Sequence, residues 1–232
     1  IWKLDSPFIL RQYDSFIIGD KLYVVNEYCE GGNLYHLIQF FRENNMRFPE
    51  DSIWKIFIQI CKGIQFLHEH KFIHGLLKTK SICLKNDLEV KIDLGLTKET
   101  QVNQEFQAKL GILNYISPEL LSNQQFENRE DVWALGCILY EMCTFRHPFD
   151  AKSQGALILK IVKGKFDSIG NNYSKELNDL VNLLLKKNEE IRPNVQGVIT
   201  TDFVARKLRQ YNMTEDVYQL FQIDLDAKIK DR

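Results

Sequence analysis

The chain has 232 residues, 44% hydrophobic and 26% charged, an ordinary balance for a soluble globular protein. Thirty Lys and Arg against 31 Asp and Glu leave a formal net charge of −1, which argues against a broad basic surface for nucleic acid. Fifteen Phe, nine Tyr and three Trp supply bulk for one large core and exclude a disordered chain, while the longest uncharged apolar run, Val132 to Tyr140, falls far short of the ~20 residues of a membrane span.

Ile9 to Phe16 and Lys21 to Tyr28 are apolar-rich runs joined at Ile18-Gly19-Asp20, the pattern of a β-hairpin. Glu30-Gly31-Gly32 breaks the second strand, and helical periodicity takes over from Asn33. Pro49-Glu50-Asp51 opens a long helix, since proline suits a first turn and acids suit the positive end of the helix dipole. Its Ile53, Phe57, Ile60, Ile64 and Leu67 recur at helical spacing and predict one buried stripe. Ile82-Cys83-Leu84 and Val90-Lys91-Ile92 read as short strands around Lys85-Asn86-Asp87, and Leu96 to Leu110 as a polar, irregular segment. Val132 to Cys143 is apolar all round, the signature of a helix at the centre of the core. Ser174 can cap a helix with Leu177, Leu180, Val181 and Leu184 on one face, and Thr214 can cap a last short helix through Val217, Leu220 and Phe221.

There is no internal repeat, no low-complexity tract and no linker, so the pattern is one body, β first and α after. Nothing at the N-terminus reads as a signal or transit peptide, and a start at Ile1 suits an internal piece of a longer protein. Cys29, Cys61, Cys83, Cys137 and Cys143 are odd in number and widely spaced, with no zinc-ligand or redox spacing. They read as small hydrophobes of a reducing compartment.

Six short strings occur in fixed order: Tyr28-Cys29-Glu30-Gly31-Gly32, Phe72-Ile73-His74-Gly75-Leu76-Leu77-Lys78, Asp93-Leu94-Gly95, Ser117-Pro118-Glu119, Asp131-Val132-Trp133-Ala134-Leu135-Gly136 and Arg192-Pro193. Together they closely resemble the large lobe of a eukaryotic protein kinase, from about Pro7 to Ile199. Tyr13-Asp14-Ser15-Phe16 and His147-Pro148-Phe149-Asp150-Ala151 look most like the NIMA-related (Nek) serine/threonine kinases. The resemblance implies an α+β, protein kinase-like fold, mostly the helical C-lobe with a remnant of the N-lobe sheet. Residues 1–28 would be that remnant and the approach to the hinge, 29–200 the C-lobe, and 201–232 a helical extension. It also implies structural roles: Glu119 pairs with Arg192, Asp131 holds the backbone around His74, and Trp133 fills the core beside it.

The residues of the chemistry depart from the family pattern. Phosphoryl transfer is mostly positioning and charge neutralisation around a base and metal ions. The family supplies the base from a His-Arg-Asp string and a magnesium ligand from an Asn five residues later. Here those positions hold His74-Gly75-Leu76 and Ser81. Leucine accepts no proton, and a neutral hydroxyl is a weak magnesium ligand. Lys78, which would contact the transferring phosphate, and Asp93, the other metal ligand, remain. The stretch from Leu76 to Asp93 is one residue shorter than the family spacing, which either a tighter turn near Asn86 absorbs or Asp93 pays for by displacement. Leu94 is a benign apolar swap for Phe.

Ile112 stands where Ser/Thr kinases place a threonine that bonds the catalytic loop, a change consistent with the missing acid at Leu76. The Arg that would order an activation-loop phosphate is Gly75, and Gln101 to Asn114 carries no Ser, Thr or Tyr, with Thr97 and Thr100 too early for that role. Glu27 and Cys29 mark the hinge, Cys83 with Leu34 the adenine floor, and a polar Asn26 takes the gatekeeper position. The Gly-rich loop, strand lysine and helix Glu of the small lobe are not found within the chain, so no cofactor is expected unless that lobe is supplied, in which case ATP and magnesium are.

The resulting expectation is a pseudokinase serving as a binding or scaffold module in the cytoplasm. Its partners by analogy are a partner kinase or a cytoskeletal or ciliary assembly, with no nucleic acid and no membrane. Two alternatives stay open: a weak ATP-dependent serine/threonine kinase with a non-standard catalytic loop, and a fold released from selection. The intact helical periodicity, with Glu119 and Arg192, speaks against the last.

Overall fold

The computed structural model describes residues 4–95, 112–122 and 128–212. The helix expected after Thr214, together with Thr97, Thr100 and residues 101–111, lies outside them.

β1 (Gln12–Ile18) and β2 (Lys21–Asn26) form the expected antiparallel hairpin, closed by Gly19-Asp20 with Gly19 at φ +63°. Both strands differ in their limits from the apolar pattern. Ile9 is drawn out of the hairpin to bridge Ile92 in parallel, with Ile92 N–H donating to Phe8 O at 2.8 Å and Leu10 N–H to Ile92 O at 2.9 Å. Ile9 thereby becomes buried, whereas Tyr13, Ile17, Ile18 and Leu22 stay exposed, because a two-stranded ribbon covers neither of its own faces. β2 ends at Asn26 rather than Tyr28, and the next residue, Glu27, donates its N–H to Arg11 O at 2.8 Å.

α1 (Leu34–Glu43) starts where Asn33 Oδ1 accepts the N–H of His36, and it buries Leu34, Leu37 and Ile38. α2 (Glu50–Glu69) carries the predicted stripe, with Ile53, Phe57, Ile60, Ile64 and Leu67 all buried. Its Glu50 accepts from Trp54 Nε1 and also from the N–H and hydroxyl of Ser174, tying the start of α2 to a distant helix cap. β3 (Ile82–Leu84) pairs antiparallel with β4 (Val90–Ile92) over the flank of α2.

α3 (Pro118–Leu121) is a single turn capped by Ser117. α4 (Arg129–Thr144) is the central helix, buried continuously from Glu130 to Cys143 and packed between α2 and α6 (Lys175–Leu184). The close approach to α6 requires Gly136: a Cβ there would stand 2.7 Å from Leu185 Cδ2. Trp133 stacks on Phe149 at 5.4 Å, so the aromatic expected beside the His74 loop does fill the core. α5 (Gln154–Lys163) lies against α3, and Ser174 caps α6 as predicted by accepting the N–H of Leu177. α7 (Val195–Ile199) and α8 (Asp202–Asn212) close the body against α2, where Phe203 meets Trp54 edge-on and the Tyr211 hydroxyl reaches Asp51.

Candidate functional site

The site is organised by one buried carboxylate on the central helix. Asp131 Oδ2 accepts the backbone N–H of His74 at 2.9 Å and meets His68 Nε2 at 2.8 Å, while Oδ1 accepts the N–H of Gly75 at 2.8 Å. Burial alone would raise the Asp131 carboxyl; the hydrogen bond to His68, the neighbouring His74 and the Gly75 N–H outweigh it and hold the group below its ordinary value. These bonds fix the backbone of the loop 74–76.

His74 passes that order on. Leu76 N–H donates to His74 Nδ1 at 3.3 Å, so the ring proton sits on Nε2, which faces Asp93 O at 3.2 Å. Burial pulls the His74 pKa down, against the pull of Asp131, in keeping with a neutral ring. Asp93 N–H also donates to Ser81 O at 2.8 Å, and Asp93 Oδ1 accepts the N–H of Gly95 at 2.9 Å. Asp93 is thus registered on both sides despite the shortened spacing. In the β3–β4 turn, Asp87 and Leu88 adopt left-handed φ of 64° and 59° and Lys85 N–H closes onto Glu89 O at 2.9 Å. Leu94 packs against the core, as an apolar swap should.

The residues that would carry chemistry are differently placed. Leu76 and Ile112 line one small cleft with Ile116 and Leu120, with Asp131 and Glu130 behind them. Where a family member places a carboxylate and a hydroxyl, two apolar side chains share the space. Ser81 is buried and Lys78 half-buried, and burial, with Lys80 nearby, lowers the Lys78 ammonium pKa. Among the described residues no three His, Cys, Asp or Glu side chains converge on one point.

Glu119 and Arg192 form a buried bidentate pair: Arg192 Nη1 and Nη2 each donate to a Glu119 oxygen, the second at 3.1 Å. The remaining guanidinium protons reach Arg129 O, Lys186 O and Lys187 O at 3.1, 3.0 and 3.3 Å, and the guanidinium lies 4.9 Å over the Trp133 ring. Its desolvation is therefore offset by a full set of acceptors.

A second buried network was not legible beforehand. Thr79 Oγ1 meets Tyr115 OH at 3.0 Å, and Tyr115 OH donates to Glu141 Oε2 at 2.5 Å, with His147 Nδ1 at 3.7 Å from the same oxygen. It joins the loop after Lys78 to the segment before Pro118, the connection that a threonine at Ile112 would otherwise make. Burial raises the Glu141 carboxyl, with the His147 charge and the Tyr115 bond opposing. An acid inside an apolar helix, Glu141 in Tyr140-Glu141-Met142, was the available signal.

At the hinge position, basic groups hold the Glu27 side chain. Its carboxylate takes Lys85 Nζ at 2.7 Å and the Arg11 N–H at 2.7 Å, with Lys91 Nζ at 3.9 Å. Burial raises this carboxyl, but those partners outweigh it and hold it low. Leu34 is fully buried, whereas Cys83 is partly exposed, with Asn33 bridging it. Asn26 ends β2 opposite Gln12.

Residues 1–204 match the protein kinase domain family. Similar proteins include the serine/threonine-protein kinase Nek11 of Macaca fascicularis, 34% identical over 97% of this chain and 36% of its own. Nek1 of Mus musculus is 35% identical over 90% of this chain and 17% of its own, and Nek3 of Mus musculus 38% identical over 88% and 40%. The chain thus spans well under half the length of these relatives. With an Asp131-anchored loop, a registered Asp93, the Glu119–Arg192 pair and this match in hand, the chain belongs to the protein kinase family, and its relatives include Nek serine/threonine kinases.

Proposed function

We propose that this chain is a catalytically inactive kinase-like domain, a pseudokinase that binds other proteins within a larger assembly. The observation that carries the reading is Leu76, an aliphatic side chain facing Ile112 in the cleft where a base would take the substrate proton. Gly75 removes the Arg that would receive an activation phosphate, and Ser81 weakens the metal set. The structural bonds of Asp131, Glu119 and Arg192 are intact, which fits a fold kept for binding. By analogy with the Nek kinases, the partners are a partner kinase or a cytoskeletal or ciliary assembly in the cytoplasm, with no nucleic acid and no membrane, and ATP and magnesium enter only where a small lobe is supplied.

The test is transfer of labelled γ-phosphate from ATP to the chain itself and to generic Ser/Thr substrates, with a small lobe supplied. No transfer is expected. Turnover that Asp93→Ala abolishes would overturn the proposal in favour of a second reading, a weak serine/threonine kinase. That second reading draws on retained Lys78 and on the backbone registration of Asp93.

A further inference from the structure

Among the described residues of the helical body, two large apolar side chains stand strongly exposed, Leu159 at 61% and Ile191 at 60%; the others so exposed lie on the β1–β2 ribbon or just after it. Each stands four positions from a lysine of one corner of the molecule. Leu159 precedes Lys163 on α5, and that spacing puts both on the same helix face. Ile191 follows Lys187 in the turn that leads to Arg192.

The corner joins two distant stretches of sequence. α5 ends at Gly164, which takes φ +68° between Lys163 and Lys165. Lys187, just beyond α6, lies against that turn: a Cβ on Gly164 would meet Lys187 Cβ at 2.9 Å and Cδ at 3.4 Å. The Lys187 stem therefore runs along Gly164. Lys163, Lys165 and Lys187 are exposed and Lys186 is half-buried. The backbone beneath them is held firmly. Gly164 N–H closes onto Lys160 O and Ile161 O at 3.0 and 2.9 Å, and Lys186 O and Lys187 O accept from the buried Arg192 guanidinium.

These cations are not balanced within the chain. Among the described residues, Lys163, Lys165, Lys186 and Lys187 enter no ion pair, and neither do Asp167, Glu189 and Glu190, the acids nearest in sequence. Elsewhere on the helical body lysines find carboxylates, as Lys175 does at Asp179 (2.6 Å) and Lys207 at Asp51 (3.5 Å). The C-terminal ends of α5 and α6 meet here, and their negative dipole ends favour cations. That accounts for lysine at the corner. It does not account for exposed Leu159 and Ile191 beside it.

We infer that Leu159, Lys163, Lys165, Lys187 and Ile191 form a docking surface for an acidic segment of a partner protein, one in which carboxylates alternate with aliphatic side chains. The ammonium groups steer the segment and fix its register, and the aliphatic side chains exclude water where they meet Leu159 and Ile191. A nucleic acid suits the corner less well. The chain's net charge is −1, and the nearby ring of Phe166 is turned onto Phe149 and Tyr140 instead of outward for base stacking. The inference gives a partner chemistry to the binding role proposed above. It rests on residues outside the cleft of Leu76 and Ile112, so it holds whether or not the chain transfers phosphate.

The experiment titrates the folded full chain into a fluorescein-labelled peptide of alternating Glu and Leu and follows anisotropy at low and at physiological salt. Saturable binding is expected, weakening severalfold as salt rises because exposed charges are screened. Lys163→Glu/Lys165→Glu/Lys187→Glu should weaken it by roughly tenfold or more, and Leu159→Ser by about threefold. Lys21→Glu, a charge reversal on the distant β-ribbon, should leave it unchanged, and the same peptide with Gln for Glu should not bind. The inference is overturned if the triple variant binds like the wild type, if the Gln peptide binds equally, or if no binding is seen at roughly millimolar concentration. Tighter capture by phosphatidylserine vesicles or by a single-stranded oligonucleotide would overturn it too. Urea midpoints check that the variants fold; should the triple variant not fold, Lys165→Gln and Lys187→Gln, each with the salt series, decide the question. Peptide binding and γ-phosphate transfer are separate readouts, so this inference and the pseudokinase reading fail independently.

Discussion

Arg192 is the side chain whose removal should cost the fold most. Its guanidinium is wholly buried, chelates both oxygens of Glu119, and caps the carbonyls of Arg129, Lys186 and Lys187. Arg192→Met keeps much of the volume but strands a carboxylate that is 4% exposed, together with three carbonyl acceptors. Breaking one side of a buried pair costs roughly 3–5 kcal/mol. For a domain of this size that is about 6–20 °C in melting temperature. Arg192→Met/Glu119→Leu removes both charges and should recover a good part of that loss, since an apolar pair of similar volume needs no desolvation. Urea denaturation of the wild type, both single variants and the double variant gives the coupling energy directly. Strict additivity, or single losses below about 1 kcal/mol, would refute the view that this pair holds α3 to the end of the helical body.

Gly136→Ala should destabilise by about 1–3 kcal/mol, because the new methyl would lie 2.7 Å from Leu185 Cδ2 in a packed helix crossing; an unchanged urea midpoint would show that α4 and α6 can separate freely. The depressed His74 pKa predicts acid sensitivity. A base whose folded pKa is lowered stabilises the fold above its unfolded value, here 6.5, and that contribution is lost as pH falls from there towards the folded pKa. Asp131, an acid with a lowered folded pKa, adds a further loss only below about its ordinary 3.8. Stability measured by urea between about pH 7 and pH 5 should therefore fall in the wild type and fall less in His74→Gln; equal slopes would mean that His74 titrates alike in both states. Glu141 has the opposite sign, because its raised carboxyl contributes stability as pH drops through its folded pKa and is a burden above it. Glu141→Gln, which can still accept from Tyr115, should leave stability at neutral pH unchanged or higher, and a large loss there would contradict that sign.

The sequence made the helical body legible because its periodic signals were local. The stripe Ile53–Leu67 and the cap at Ser174 each follow from residues within a few positions of one another. What escaped was long-range. Ile9 reads as the start of a strand but is taken by Ile92, and the ion pair of Glu27 with Lys85 spans 58 positions of sequence. The Thr79–Tyr115–Glu141 network joins three distant stretches, and no spacing rule could place them together. The one-residue shortening before Asp93 had two outcomes in the sequence. Asp93 nonetheless keeps backbone bonds on both sides, its N–H on Ser81 O and its Oδ1 on the Gly95 N–H, contacts that no local spacing announces.

The last prediction concerns repair of the candidate site. Leu76→Asp alone should give no kinase turnover, for reasons that lie in the cleft itself. The new carboxyl would enter a space shared with Ile112, Ile116 and Leu120, so its pKa should rise and its charge, the partner Lys78 would need, should fade. Ile112 offers it no hydroxyl and Ser81 no strong metal ligand beside it. Members of a catalytic unit act non-additively, so one restored member recovers little. Leu76→Asp/Ser81→Asn/Ile112→Thr restores three partners without touching the backbone. Adding Gly75→Arg is a different matter: Gly75 stands at φ +72°, where a side chain costs roughly 1–2 kcal/mol, and its N–H must still reach Asp131 Oδ1. The triple variant should therefore recover activity before the quadruple one does, and the quadruple one should melt lower. The assay is γ-phosphate transfer with a small lobe supplied, beside a melting curve for each variant. If Leu76→Asp alone turns over like a kinase, the base was the chain's one defect, and Ser81, Ile112 and Gly75 are tolerated variation.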